Sequence, residues 1–316
     1  MGSLTATPLP VVNLTGGPEA LSPRSSSWNA VSKEIISALE EHGGFVAIYD
    51  RVPQELPAAI FSDMMRLFQL PHETKIKNVS EKSGHGYINK ASNVPLHEGV
   101  GIDGATDLEE CRKFMELMWT NGDDAFAENV NAYAKKVAEL EQTVVRVLFE
   151  SYGLGKHYPA HLEATTYLLR LLTYKKPDND EDNLAFVSHT DKSFISILHQ
   201  NNVKGLELRT KDGDWVPFEP SPSSFVVLAG DLSMAWSNER IKSLYHRVTM
   251  GGKETRYSLG LFSFRTGVTE VPKELVDEDH PLLYKPFNYE DLLRFYDTLE
   301  PKLKADHTVV KMFCGI

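Results

Sequence analysis

Cysteine is scarce in this chain of 316 residues, which contains two, Cys111 and Cys314. Two distant cysteines without a secretory leader indicate free thiols in a reducing compartment and argue against a disulfide framework. The first residues lack a basic segment followed by a long apolar run, so we expect no signal peptide. No run approaches the roughly 18 apolar residues of a membrane-spanning helix. These absences predict a cytoplasmic protein with no membrane partner.

Positive charge is also in deficit, because 33 lysines and arginines face 44 aspartates and glutamates and give a formal net charge of -11. The basic residues are scattered along the chain, so a nucleic-acid partner is not expected. Hydrophobic residues make up 41% and charged residues 24%, a composition typical of globular proteins. No feature of the sequence favours an oligomer. We therefore expect a monomer.

Apolar residues recur at helical spacing in three parts of the N-terminal half, which predicts helices over residues 28–41, 57–69 and about 123–153. A short buried strand is predicted over residues 45–49. Residues 80–107 are rich in Gly, Ser and Asn and show little periodicity. We expect a long irregular segment there, and such segments often carry function.

Beyond residue 153 the pattern changes to short β-type runs separated by turn residues. Many short strands at regular spacing predict a sandwich or barrel, of which a jelly roll is one closed form. The expected fold class is mainly β with α, a jelly-roll core supported by a helical N-terminal region. The predicted parts are an N-terminal region at 1–120, a long supporting helix at 121–160, the core at 161–270 and a C-terminal helical segment at 271–316. The β-type runs lie at 165–174, 194–198, 206–209, 215–218, 224–229, 244–249 and 257–265.

A candidate metal site consists of His189, Asp191 and, 57 residues after His189, His246. Positions i and i+2 of a strand face the same way, so His189 and Asp191 are expected to point at one ion. Two imidazoles and one carboxylate suit iron(II) and leave positions for a bidentate co-substrate and O₂. Structural zinc would favour four ligands with thiolates, and neither cysteine is near this set in sequence. Chance alone gives about 1.5 His-x-acid pairs in such a chain, so a surface strand pair and a structural imidazole are the alternative interpretation.

The residues that follow His246 favour the metal site over that alternative. Arg256 and Ser258 form another i, i+2 pair on a β-type run. Arginine offers a planar fork for a carboxylate, and serine adds a hydroxyl donor. A buried arginine needs an anionic partner, because an unpaired buried charge is costly. The pair is therefore expected to anchor the far carboxylate of a dicarboxylic keto acid, whereas a salt bridge at a strand end is the simpler alternative.

Three further side chains are candidates for the substrate pocket. Phe262 alternates in phase with Arg256 on the same run, so it is expected either to face the cavity or to pack in the core. Met118 and Trp119 are expected either to line a lid or to pack. Residues 99–104 spell G-x-G-x-x-G, but no hydrophobic strand precedes them, as a dinucleotide fingerprint requires. We interpret them as a flexible loop near the mouth of the active site.

Short motifs along nearly the whole chain resemble those of one enzyme family. "LPVVNL" at 9–14 is similar to its "I-P-x-I-D-L", "EHGGF" at 41–45 to its "E-x-W-G-F-F", and "LPHETK" at 70–75 to its "L-P-x-E-x-K". The segments "HTD" at 189–191, "HRV" at 246–248 and "RYS" at 256–258 match the motifs that are most specific to it. The family is that of the plant 2-oxoglutarate/iron(II)-dependent dioxygenases. The segments "LRLLTYKKP", "MWTNG" and "SFVVLAGD" resemble the branch of the glucosinolate side-chain oxygenases, auxin-oxidising dioxygenases and deoxypodophyllotoxin synthase.

The resemblance implies a double-stranded β-helix core and the metal and co-substrate residues. His189, Asp191 and His246 would bind iron(II), and Arg256 and Ser258 would contact 2-oxoglutarate. Tyr174 matches the second tyrosine of the family's "N-Y-Y-P" and would be a further contact, whereas Leu172 and Thr173 replace the first two residues of that motif.

The implied activity is that of an oxidoreductase of EC 1.14 type. It would use 2-oxoglutarate and O₂, with ascorbate in the assay, to hydroxylate, desaturate or ring-close a small plant specialised metabolite or hormone, and it would release succinate and CO₂. No protein acid or base is needed beyond the metal centre. The rival hypotheses are a cupin-like binding protein without turnover and a zinc hydrolase, neither of which needs Arg256 and Ser258.

Overall fold

The structure, a computed structural model, describes residues 9–16, 25–89, 96–177, 183–300, 303 and 308–316. Two β-sheets form its centre, and helices cover one face of the larger sheet. Helical residues outnumber strand residues. None of the described helices combines the length and apolarity needed to cross a bilayer.

The N-terminal helices form where the apolar spacing predicts them. Helix α1 (Ser26–His42) begins after Ser25, whose side chain accepts a hydrogen bond from Trp28 N, and ends at Gly43, which adopts a left-handed φ of 76°. The chain then runs directly into strand β2 (Gly44–Ile48). Helices α2 (Glu55–Gln69) and α3 (His72–Lys75) follow.

Two more helices complete this layer. Helix α4 (Leu108–Met118) is followed by α5 (Asp124–Ser151), whose 28 residues confirm the helix predicted near 123–153. Asp123 caps α5 by accepting a hydrogen bond from Phe126 N. The apolar face of α5 packs on the larger sheet and supports it. The buried apolar side chains of α5 include Phe126, Val130, Tyr133, Val137, Leu140, Val144 and Leu148.

The sheets form the double-stranded β-helix that the family resemblance implies, which confirms the expected fold class. The larger sheet has the order β1 (Val11–Asn13), β2, β10 (Ser224–Ala229), β7 (Ile195–Gln200), β12 (Arg256–Arg265), β5 (Thr165–Tyr174), β4 (His97–Asp103), β3 (Ile88–Asn89). The smaller sheet has the order β6 (Leu184–His189), β11 (His246–Thr249), β8 (Leu206–Arg209), β9 (Trp215–Pro217). Short elements complete the fold: α6 (Tyr158–Glu163), α7 (Asp231–Trp236), β13 (Val268–Thr269), β14 (Phe287–Asn288), α8 (Tyr289–Thr298) and α9 (Thr308–Cys314).

Strands β2 and β4 show how the first 120 residues join the core. Both belong to the same sheet as β5 and β12, so the core is completed by strands from the N-terminal region. The four-part division of the chain stays a prediction.

Strand β4 corrects the expectation of an irregular segment over residues 80–107. It pairs with β5 along its whole length, from His97 opposite Tyr174 to Asp103 opposite Leu168. Its glycines hide the alternation by which a strand is recognised, and they are required by close packing. A Cβ on Gly101 would lie 1.8 Å from the His85 carbonyl oxygen. The loop predicted at residues 99–104 is therefore, up to Asp103, a buried strand.

Candidate active site

Three side chains, two from the smaller sheet and one from a loop beside it, converge on one point. His189 ends β6, His246 begins β11, and the two residues are cross-strand partners with ring centroids 4.2 Å apart. The sequence predicts that Asp191 is on the same strand as His189. In the structure Asp191 lies in a loop, two residues past the end of β6. Its Oδ1 is 3.7 Å from Nε2 of each histidine. Among the described residues this is the one group of three or more such side chains whose ligand atoms all lie within 4.8 Å of one another.

Backbone carbonyls fix the tautomer of both imidazoles. His189 Nδ1 donates to Val187 O at 2.8 Å, and His246 Nδ1 donates to Leu244 O at 3.2 Å. Each ring therefore presents the lone pair of Nε2 toward Asp191, as metal-binding histidines do. Burial, followed by the neighbouring His246, lowers the pKa of His189 to about 3, which keeps that ring neutral. Asp191 Oδ2 is buried without a hydrogen-bond partner in the described part of the chain. This donor set fits a divalent iron.

Arg256 forms a cationic pocket at the start of β12. Its side chain is 1% exposed, and its Nη2 donates to Gln200 Oε1 at 2.6 Å and lies 3.5 Å from Ser258 Oγ. Its guanidinium carbon lies 4.8 Å from the centroid of the Tyr174 ring. Nε and Nη1 have no hydrogen-bond acceptor within the described ranges. Burial lowers the pKa of Arg256, because a cation held there without an anion is costly. These features fit the carboxylate of a bound co-substrate.

One cavity joins the metal-binding group and the arginine pocket. It holds about 1060 Å³ of empty space, its open mouth included. Phe262 lines it, as one of its two predicted roles requires. The apolar part of its wall also contains Ile88, Leu168, Leu172, Phe186, Leu198, Leu206, Val248, Phe264 and Leu293.

Met118 and Trp119 are not among the described residues that line this cavity, and of their two predicted roles the structure shows the packing one. A contact of either residue with the substrate stays a prediction. Met118 is 3% exposed and belongs to the core of the helical layer. The Trp119 ring lies edge-on to Phe126 of α5, with 6.0 Å between centroids, and Arg66 covers its face. The apolar surface of both residues is buried where α4 packs against the other helices.

Arg170 and His97 are among the polar residues of the cavity that sequence reasoning missed. Arg170 stands in the middle of β5, and His97 begins β4. The His97 ring lies 4.9 Å from that of Tyr174, and its Nδ1 has no hydrogen-bond partner in the described segments. Burial, followed by Arg170, lowers the pKa of His97 to about 3, so the ring is neutral. A charged residue inside the apolar run "LLRLL" was the available signal for Arg170.

Comparison with known proteins identifies the family. Residues 154–265 match the model of the 2OG-Fe(II) oxygenase superfamily, and residues 9–134 match the N-terminal model named for the non-haem dioxygenase in morphine synthesis. The "Probable 2-oxoglutarate-dependent dioxygenase AOP1.2" of Arabidopsis thaliana is 42% identical over 298 residues, which cover 92% of this chain and 91% of that protein.

Solved structures agree with this result. The dioxygenase for auxin oxidation of rice matches with a TM-score of 0.79 and 26% identity, over 98% of this chain and 100% of its own. The 2-oxoglutarate complex of the Arabidopsis thaliana dioxygenase for auxin oxidation 1 matches with a TM-score of 0.76 and 27% identity. The match covers 86% of this chain and 99% of that protein's chain. With its double-stranded β-helix and its His-Asp-His group, this chain belongs to the 2-oxoglutarate/iron(II)-dependent dioxygenases.

Proposed function

We propose that His189, Asp191 and His246 hold iron(II) on one side of the cavity and leave the opposite side open. The observation that carries this proposal is the group of three ligand atoms within 4.8 Å of one another, two of them presented by imidazoles whose other nitrogen is tied to a carbonyl. Three protein ligands leave room for co-substrate and O₂.

The co-substrate position follows from the arginine pocket. The far carboxylate of 2-oxoglutarate pairs with the free Nε and Nη1 of Arg256, while Tyr174 covers the guanidinium face. The Ser258 hydroxyl, which otherwise donates to His199 O, turns to donate to the carboxylate. Gln200 holds Nη2 in place, so the guanidinium is oriented before the anion arrives. Bound iron supplies the chemistry, in which 2-oxoglutarate is decarboxylated to succinate and CO₂ while O₂ oxidises the substrate. The protein binds, orients and excludes water, and no side chain needs to move a proton.

The substrate is a small plant metabolite or hormone. Two observations support this: the apolar cavity wall with Phe262, and relatives that include dioxygenases for auxin oxidation in two plants. Phe262 stacks on the apolar body of the substrate. Hydroxylation, desaturation and ring closure all begin with oxidation at a carbon held near the metal, and each fits this cavity.

Succinate formation from 2-oxoglutarate tests the proposal. The protein is incubated with iron(II), ascorbate and a panel of plant metabolites that includes indole-3-acetate, under air and under nitrogen. We expect one or more compounds to raise succinate release under air alone, with an oxidised product by mass spectrometry. Binding without succinate release would indicate a cupin-like binding protein. Turnover that needs zinc and not 2-oxoglutarate would indicate a hydrolase.

A further inference from the structure

A second buried cation faces the same cavity and has no role in the function proposed so far. Arg170 is 7% exposed, and its neighbours on the cavity side of β5 are Leu168 and Leu172. One of its amino groups, Nη1, donates to Gly84 O. The other, Nη2, is buried without an acceptor, and none of the described carboxylates forms an ion pair with Arg170. Burial lowers the pKa of Arg170 to about 10, because the desolvation of the cation outweighs the attraction of Tyr174 and of Asp103.

Glycines lie opposite Arg170 on both neighbouring strands, and a third glycine makes room for its guanidinium. Arg170 is opposite Gly101 on β4 and opposite Gly260 on β12. A Cβ on Gly99 would lie 3.0 Å from Arg170 Nη2. The side chain therefore occupies a space that the neighbouring residues leave open, and the glycine pattern of residues 99–104 has a structural explanation.

Arg170 stands at a different position along the strand from Tyr174 of the proposed 2-oxoglutarate pocket. Arg256 is opposite Tyr174, four residues further along β5 than Arg170. Four residues of strand place the backbone positions of the two residues about 13 Å apart at roughly 3.3 Å per residue. A dicarboxylate that joins Arg256 to the metal-binding group therefore does not need Arg170. A second anion can then be held in the same cavity.

We propose that Arg170 binds the carboxylate of the substrate, and that the dioxygenase therefore acts on a small organic acid. The inference rests on the proposed function, in which this cavity holds both co-substrate and substrate. The carboxylate pairs with Nη2, and the apolar body of the acid lies along Leu168, Phe262 and Phe264 beside the metal-binding group. The charge-assisted hydrogen bond is strong there because the site is buried, and it compensates a cation that otherwise has no counter-ion.

Matched acids and amides test this proposal. The protein is loaded with manganese(II) and saturating 2-oxoglutarate without O₂, which blocks turnover and occupies Arg256. Benzoate, phenylacetate, indole-3-acetate and hexanoate are each titrated against their primary amides by calorimetry. We expect one or more acids to bind at least tenfold more tightly than the amide of the same shape. Arg170→Leu should remove this preference, whereas Arg265→Leu, on the same sheet but not among the residues lining the cavity, should retain it.

Two further measurements separate a binding role from a structural one. In Arg170→Leu, the dissociation constant of 2-oxoglutarate should stay within threefold of the wild-type value, and the melting temperature should not fall. A buried cation without a carboxylate partner adds little to stability, so its replacement by an apolar side chain is tolerated. If Arg170→Leu does not fold, Arg170→Gln decides the question in the same titration.

The proposal is overturned if the wild-type protein prefers no acid over its amide, or if the preference survives the loss of Arg170. Its failure is distinguishable from that of the proposed function. An acid preference that depends on Arg170, in a protein that forms no succinate with any substrate, would leave the binding site intact and refute the oxygenase activity.

Discussion

The two faces of strands β5 and β12 differ in whether they fully bury cationic side chains. On the cavity face stand Arg170 and Arg256, two buried guanidiniums without an acidic partner among the described residues. The opposite face packs against the helical layer with apolar side chains such as Leu261. Where that face carries a hydroxyl, it is paired: Tyr167 donates to Glu141 of α5 at 2.8 Å.

This contrast separates stability from activity within single strands. Apolar burial on the helix face lowers the free energy of the folded state. Unpaired cations on the cavity face raise it, and they become favourable when ligands bind. Substitutions on the cavity face should therefore change binding and turnover far more than stability, and those on the helix face should do the reverse.

Loss of a metal ligand is the largest effect we expect on the cavity side. His246→Ala removes one of three protein ligands, so succinate formation should fall more than about a hundredfold, since even residues that only orient a ligand cost 10- to 100-fold when replaced. Iron content per protein, measured by elemental analysis, should fall with it. His280→Ala, at an exposed position, is the control and should retain both. Full activity in His246→Ala would refute the metal site.

Arg256→Ala should weaken 2-oxoglutarate binding while the protein still binds metal. Truncating one partner of a buried charge pair costs about 2–5 kcal/mol, so the dissociation constant should rise about 30-fold or more. Calorimetry with the manganese(II) protein measures this change. Arg256→Lys keeps the charge without the planar fork and should recover part of the affinity. Wild-type affinity in Arg256→Ala would place the co-substrate elsewhere.

Leu261→Ala tests the helix face of the same strand. Leu261 is 1% exposed in the main core, so the substitution should lower the free energy of unfolding by about 2–5 kcal/mol, as cavity-forming changes do. Urea denaturation measures the loss, and Leu282→Ala, at a 41% exposed position, is its control. The affinity of the folded protein for 2-oxoglutarate should not change. A large change in that affinity would show that the two faces are not independent.

The same contrast explains which parts could be predicted from the sequence. Helix α5 and the strands of the core carry regular apolar patterns, which report burial directly. The metal-binding group and the proposed co-substrate residue could be recognised in the sequence, since the spacing and chemistry of His189, His246 and Arg256 form a known set. Asp191 lies beside the two histidines as predicted, but in a loop and not on a strand. Two residues of loop after His189 bring its carboxylate to the same position that a strand would.

The features that were missed depend on packing between elements distant in sequence. Strand β4 escaped prediction because Gly99 and Gly101, which make room for Arg170 and for the chain at His85, remove the apolar alternation from one face. Arg170 itself lies in an apolar run, and nothing local indicates that its guanidinium has no partner. The two roles predicted for Met118 could not be separated from the sequence, because a buried methionine of the helical layer and one of a pocket wall have the same sequence pattern.

Substitution of His161 should have the smallest effect, and it tests whether water reaches the core between the larger sheet and the helices. His161 is 4% exposed, with ring centroids 4.9 Å from Phe149 and 4.6 Å from Phe194, and its Nδ1 has no hydrogen-bond partner in the described part of the chain. Burial, followed by Arg265, lowers the pKa of His161 to about 3. Since the unfolded chain titrates near 6.5, below that pH the unfolded state binds a proton that the folded state refuses.

Stability should therefore be lost as the pH falls below 6.5, and His161 should contribute about 1 kcal/mol of that loss between pH 6.5 and 5.5. In His161→Phe, whose apolar ring suits the same aromatic surroundings, the loss over this interval should be smaller by that amount. Urea denaturation at the two pH values measures it, and His157→Phe, at an exposed site, should behave like the wild type. If the free energy of unfolding of His161→Phe depends on pH as the wild type does, water or a proton reaches this ring in the folded protein. The helix side of the sheet would then be less well sealed from water than its packing indicates.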